Sequence, residues 1–370
     1  MKGGPLFPDC GAHISTIFKS TRDSALENGP VTAAQNLLES WKESLPLDIM
    51  KAGVFTVILG SMPFEKALDY AASLGFQAVE IGVGGWAGTA HCDPDELLGS
   101  DRKTKDFLNA VTSRGLQISS LNAAGNPIHP NRKIARAYDA DFRRAIRLAR
   151  RLGVEIVTTF SGCPGGGPSD TQPNWVTCPW PPEYLEILDY QWSKVVIPYW
   201  QKTLEFVREN GVPKVALEMH PGFVVYNPET LLKLRAAAGP EIGSNFDPSH
   251  LFWQGIDPCA AVRALKGAIW HVHAKDTQVQ AWNSTVNGVL DTKHYSDELN
   301  RAWIFRTVGY GNPRRFWCDF ISTLRLVGYD GTLSIEHEDS LMSPREGLEK
   351  ALRFLQSILM QEPRGKVTWA

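Results

Sequence analysis

The acidic and imidazole side chains of this chain collect at the ends of short apolar runs. Leu217-Glu218-Met219-His220 closes one run, and Asn245-Phe246-Asp247 closes the next, continuing through Pro248 and Ser249 to His250. His271-Val-His273-Ala-Lys275-Asp276 closes a third and Ser334-Ile-Glu336-His337-Glu338-Asp339 a fourth. Six of the nine histidines fall between positions 220 and 337, most of them at these ends. A single Glu or His in such a place is ordinarily a cap or a solvated side chain. Recurrence at equivalent positions of four consecutive runs points instead to a shared site. Two Glu, one Asp and one His make a hard, oxygen-rich set that suits Mn²⁺ first, with Mg²⁺, Co²⁺ or Zn²⁺ as alternatives. The same groups crowded together without a cation would repel one another in a low dielectric.

The elements that must position these groups follow from a rhythm that starts near residue 54. Apolar, β-branched runs alternate with stretches of helical period, the pattern of repeated βα units on a parallel sheet. It predicts strands over 54–59, 78–83, 117–122, 155–161, 214–220, 242–247, 268–274 and 332–337. The helical stretches between them end repeatedly at Gly, as at Gly75, Gly115 and Gly153. Eight such units predict an α/β fold, a (β/α)₈ TIM barrel, with a doubly wound open sheet as the second choice. Gly82-Val-Gly84-Gly85-Trp86-Ala-Gly88 has the wrong spacing for a dinucleotide fingerprint, which disfavours that second choice. Long connections are expected after strand four (164–195) and strand seven (275–312), at the barrel end where such folds carry their sites. Residues 1–50 are expected to form an N-terminal extension, 51–362 the barrel and 363–370 a C-terminal tail. Alternation along each strand then directs Glu218, Asp247, His273 and Glu336 to one axial spot. His271 shares the face of His273, so either can be the ligand; His273, nearer the C-terminal end, is preferred. His337 is expected to face away from Glu336.

Bulk properties narrow the partners. The chain has 370 residues, 43% of them hydrophobic, and a formal charge of −2. That balance gives no electrostatic footprint for nucleic acid or an anionic membrane, and no apolar run nears the roughly 20 residues of a membrane helix. Six cysteines without CxxC spacing indicate neither a zinc knot nor a disulfide framework, and a cytoplasmic setting is expected. No Gly-rich phosphate cradle stands out.

At the four strand ends the chain resembles the sugar phosphate isomerase/epimerase superfamily, the xylose-isomerase-like barrels that include ketose 3-epimerases. Leu-Glu218, Asp247-x-x-His250, His273-x-Lys275-Asp276 and Ile-Glu336 occur in that family's order, over about residues 50–360. The stretches beginning at Phe160, Asn174, Leu217 and Phe305 resemble one subgroup of it. In that subgroup a Cys-His pair precedes Gly-Asn-Pro; Ala123-Ala124 stand there in this chain, so its substrate or activity is expected to differ.

The resemblance implies a metal tetrad of Glu218, Asp247, His273 and Glu336, and His250 in contact with a substrate oxygen. It implies proton abstraction next to a carbonyl through a metal-stabilised enediolate, with Glu218 and Glu336 as the acid/base pair. Lys275, His220 and Arg306 are candidates for holding substrate oxygens, with ion pairing as the plainer role for Lys275 and Arg306. Glu80 and His129, at the ends of strands two and three, are candidate pocket residues. Trp253, with Trp86, Trp175 and Trp180 in strand-end loops, offers an aromatic face for sugar C–H surfaces. The substrate expected is a small-molecule sugar or glycoside, and a homo-oligomer is a possible assembly. Alternatives are a lyase that expels the aglycone of a 3-keto-glycoside, a repair endonuclease and a non-catalytic sugar-binding barrel.

Overall fold

A computed structural model describes residues 49–369. The expected extension, with its amphipathic stretch over 32–44, thus lies outside the described residues except for positions 49 and 50. Ten strands follow: β1 (Lys51–Phe55), β2 (Ala78–Gly82), β3 (Gln117–Asn122), β4 (Ile156–Phe160), β5 (Lys214–Glu218), β6 (Ile242–Phe246), β7 (Ile269–Ala274), β8 (Asp276–Val279), β9 (Trp303–Arg306) and β10 (Thr332–Ile335). Eight of them close into a parallel barrel in the order β1-β10-β7-β6-β5-β4-β3-β2, and β8 pairs with β9 outside it. This is the (β/α)₈ barrel expected from the repeat. Between strands, helix Phe64–Leu74 stops at Gly75 with φ +92°, and helix Arg132–Leu152 stops at Gly153 with φ +67°. In each case the glycine N–H bonds back one turn, closing carbonyls that a side chain with a Cβ would hinder. Fully buried Phe142, Trp200 and Trp317 fill the layer between strands and helices, each contributing about 1.5–3 kcal/mol by leaving water.

Three elements differ from the sequence pattern. The first strand begins earlier than expected and ends at Phe55; residues Thr56–Leu59 form a 3₁₀ turn. Its pairing ends at Val54↔Ile335 with β10 and at Phe55↔Glu80 with β2, so the backbone beyond has no ladder on either side. The amides of Gly60 and Met62 bond to Val57 and Leu59 carbonyls instead.

The connection after β4 contains a helix over Glu183–Tyr190, a π-helical segment over Gln191–Val196 and then helix Ile197–Glu209. Pro198 obscured this in the sequence, because it lacks an N–H and its ring clashes within a continuous α-helix; the wider π winding directly precedes it.

The connection after β7 is also ordered, as a two-stranded antiparallel ribbon with register Asp276↔Arg306 to Val279↔Trp303 and a helix over Ala281–Asn287. Two four-residue strands with a single partner each leave too short a pattern to read. Residues 363–369, the expected tail, carry no helix or strand and are exposed.

Candidate metal centre

The barrel sets four side chains around one point at the C-terminal mouth. Glu218 ends β5 opposite Asn245 of β6, while Asp247 and Glu336 are the first residues past β6 and β10. His273 lies on β7 beside Ser334 of β10. One ligand-capable atom from each of Glu218, Asp247, His273 and Glu336 lies within 4.8 Å of all the others. The four residues predicted from strand alternation are therefore brought together. His273, not His271, is the imidazole among them.

A second layer beneath orients this set. His273 donates from Nε2 to Glu80 Oε2 (2.9 Å), and Glu80 Oε1 accepts from Asn122 Nδ2 (2.8 Å) and Thr158 Oγ1 (3.1 Å). With Nε2 committed to a carboxylate, the Nδ1 atom is the one turned into the cluster, 3.0 Å from Glu336 Oε2 and 3.4 Å from Glu218 Oε2. Asn245 Nδ2 reaches Glu218 Oε2 at 3.2 Å, and its Oδ1 accepts from His271 Nδ1 at 2.9 Å. His271 is thus held one layer below the mouth. Glu80, expected as a pocket residue, is fully buried and stands behind His273 instead of facing the cleft.

The electrostatics follow from this crowding. Burial alone would raise the Glu80 carboxyl, but the charges of His273 and His271 and the hydrogen bonds it accepts outweigh that and hold it at about 2. Glu336 is likewise pushed up by burial and drawn down further by Lys275 and His273, to about 2. Burial opposes charge on His273 and Lys275 too, yet the surrounding carboxylates lift both well above their ordinary values. His220 goes the other way: burial and the nearby His250 lower it to about 3.

The donor set fits a divalent cation on two observations. Asp247 is fully buried, and its Oδ2 accepts no hydrogen bond, although Lys275 Nζ and His250 Nε2 lie 3.1 and 3.3 Å away. A neutral His273 would also aim its Nδ1 lone pair at two carboxylates, an arrangement that needs a proton or a cation between them.

The other predicted residues divide. His250 Nε2 sits 3.1 Å from Glu218 Oε1, and its ring packs on that of His220 at 4.1 Å. His220 donates from Nδ1 to the Pro221 carbonyl and lines the cleft above the cluster. Lys275 is only 2% exposed and pairs with Asp247, Glu336 and Glu338, so ion pairing is what occupies it. Arg306 is engaged with Asp339 (3.2 Å) and Gln278 (2.8 Å), bracing the ribbon instead of the cleft. Trp253 is buried against Trp303 in a parallel stack at 4.7 Å and does not wall the site, because the ribbon covers it. His129 accepts the Asn131 N–H at 3.0 Å at the start of helix Arg132–Leu152, outside the cleft.

Sequence reasoning missed Glu338, which lines the cleft and holds Lys275 at 3.0 Å; its spacing of two from Glu336 was the available signal. It also missed the second layer of Asn122, Thr158 and Asn245, for which neutral side chains on strands give no signal. The cleft itself encloses about 400 Å³.

Residues 68–358 match the model of the family described as the xylose isomerase-like TIM barrel. The uncharacterized protein YfiH of Bacillus subtilis is 43% identical over 314 residues, covering 84% of this chain and all of that protein. A solved D-tagatose 3-epimerase-like protein shares the fold at 22% identity and a TM-score of 0.55, over 84% of this chain and 98% of its own. The probable 3-DHS dehydratase AsbF of Bacillus anthracis does so at 16% identity and a TM-score of 0.58, over 83% and 99%. The chain belongs to the xylose isomerase-like TIM barrel family.

Proposed function

We propose that the protein is a divalent-metal-dependent isomerase or epimerase acting on a sugar by proton abstraction next to a carbonyl. The observation that carries this reading is the buried set of Glu218, Asp247, His273 and Glu336, with one Asp247 oxygen left without a hydrogen bond. These four side chains would hold the ion, Mn²⁺ by preference for three carboxylates and one imidazole. Bound there, a divalent ion supplies Lewis-acid polarisation of a carbonyl oxygen.

The chain's own residues do the rest. Glu218, at the end of β5, and Glu336, just past β10, stand three strands apart around the barrel and are both held as carboxylates, so one takes the proton and the other returns it on the opposite face. His220, which lines the cleft and is kept neutral by burial, is placed to bond a sugar hydroxyl, and His250, packed on its ring and touching Glu218, is the second candidate. Glu338 borders the same opening and holds the buried Lys275 at 3.0 Å. Phe55 and Phe160 keep water from the face of the cluster.

The test is incubation of Mn²⁺-loaded protein with a ketose panel in deuterated water. Deuterium uptake at a sugar carbon, lost in Glu336→Gln, is the expected result. Release of a group β to the carbonyl without deuterium uptake would shift the reading to the lyase alternative. Full turnover by Glu336→Gln would refute the proposed chemistry.

A further inference from the structure

The cleft has two unlike halves. One carries the carboxylates, Asn122, His220 and His273, with Phe55 stacked on His273 at 5.8 Å; the other carries Trp86, Phe160 and Phe223, and Val57, Ala87 and Ala124 complete the lining. Phe160 and Phe223 stack at 4.5 Å, and Trp86 leans on both at 5.8 Å and on Tyr138 at 5.0 Å. His220 joins the halves, its ring 5.1 Å from Phe160.

Trp86 lines this cleft and is 55% exposed. Its position is nevertheless fixed. Gly85, at φ +61°, passes so close to the Ala124 carbonyl that a Cβ would lie 1.9 Å from its oxygen. The Trp86 amide bonds that same carbonyl at 2.8 Å, and the Gly85 amide bonds Asp141 at 2.9 Å. The glycine stretch around residue 84, which fits no dinucleotide fingerprint, thus serves to seat a tryptophan at the cleft mouth.

We propose that this aromatic half is a subsite for a flat, apolar group attached to the reacting sugar, so that the substrate is a glycoside whose sugar ring carries a ketone and whose aglycone is aryl-like. This rests on the reading of the cluster as a metal–sugar site. Three features carry it. The cleft, at about 400 Å³, lies in the range of pockets that enclose drug-sized ligands and exceeds what one sugar ring fills. Rings make up this wall, and Asn122, the neutral polar residue of the lining, is already paired with Glu80 and with the Ala124 amide. A second sugar would leave its hydroxyls unpaired there, whereas a planar apolar ring matches the surface. Finally, a rigidly seated aromatic loses little conformational freedom on binding.

The test compares 4-nitrophenyl β-D-glucoside with methyl β-D-glucoside and cellobiose by titration calorimetry on the full chain, and Mn²⁺ binding is measured separately. The aryl glycoside is expected to bind at least tenfold more tightly than either of the others. Trp86→Ala, at an exposed position, and Phe223→Leu should each remove most of that preference while leaving Mn²⁺ binding unchanged. Equal binding of the aryl and methyl glycosides overturns the subsite, as does cellobiose binding as tightly as the aryl compound. A preference that survives both substitutions also overturns it. A chain that prefers the aryl glycoside but binds no Mn²⁺ refutes the metal reading and leaves the apolar subsite standing.

Discussion

Two buried aspartates close neighbouring stretches of the barrel mouth, and they live in opposite environments. Asp247, past β6, accepts the Ser249 amide on Oδ1 at 2.8 Å and keeps Oδ2 without a hydrogen bond among charged neighbours. Asp276, past β7, is saturated. It accepts the amides of Thr277 (2.9 Å), Gly309 (2.9 Å), Gly311 (3.1 Å) and Asn312 (3.0 Å), the Asn312 side chain (2.7 Å) and the Trp317 indole (3.2 Å). Both are fully buried. The difference teaches that burial alone does not mark a ligand. A carboxylate whose lone pairs are all taken is a staple, and one with a pair left over is available to a cation.

The largest effect expected from this contrast is at the acid/base pair. Glu336→Gln should lower turnover by about 10²–10⁴-fold with the fold intact, measured as deuterium uptake beside circular dichroism. Next come the two aspartates themselves. Asp276→Ala strands several buried donors and should cost about 3 kcal/mol or more in urea unfolding, while the folded fraction retains bound metal. Asp247→Asn should do the reverse, abolishing metal retention in elemental analysis with little loss of stability in the chelated protein. If Asp247→Asn destabilised as much as Asp276→Ala, the distinction between staple and ligand would fail.

A smaller effect sits one layer down. Glu80→Gln keeps the shape but weakens the hold on His273, and the affinity for Mn²⁺ or Co²⁺ in calorimetry should fall about 10–100-fold. The least effect is expected at Arg306→Gln. Asp339 keeps its bonds from Thr307 at 2.8 and 2.9 Å, so the loss is about 1 kcal/mol with KM unchanged. A rise in KM would return Arg306 to the substrate site.

Acid should separate the layers as well. Glu80 and Glu336, held at about 2 against an ordinary 4.5, add stability that is present above about 4.5 and lost as pH falls toward 2. Acid unfolding of the chelated protein followed by fluorescence should shift to higher pH in Glu80→Gln, by loss of one such group.

The sequence by itself determined the barrel, because eight apolar runs alternating with helical periods have few other ways to bury their faces. It also pointed to Glu218, Asp247 and Glu336 and to the pair His271 and His273, since a strand period of two sends these to the axis; that His273 is the imidazole of the cluster came from the fold. Tertiary structure alone decided which acids remain available there. Asp247 and Asp276 read alike in the chain, and only the return of the loop through Gly309–Asn312 supplies the donors that silence the second. Likewise Glu80 is turned behind His273 by Asn122 and Thr158, which lie 42 and 78 positions away in sequence. Trp253 is covered by a ribbon whose strands are 24 residues apart at their closest, measured from Val279 to Trp303. Such assignments depend on which groups meet across the fold, and spacing along one strand carries no record of that.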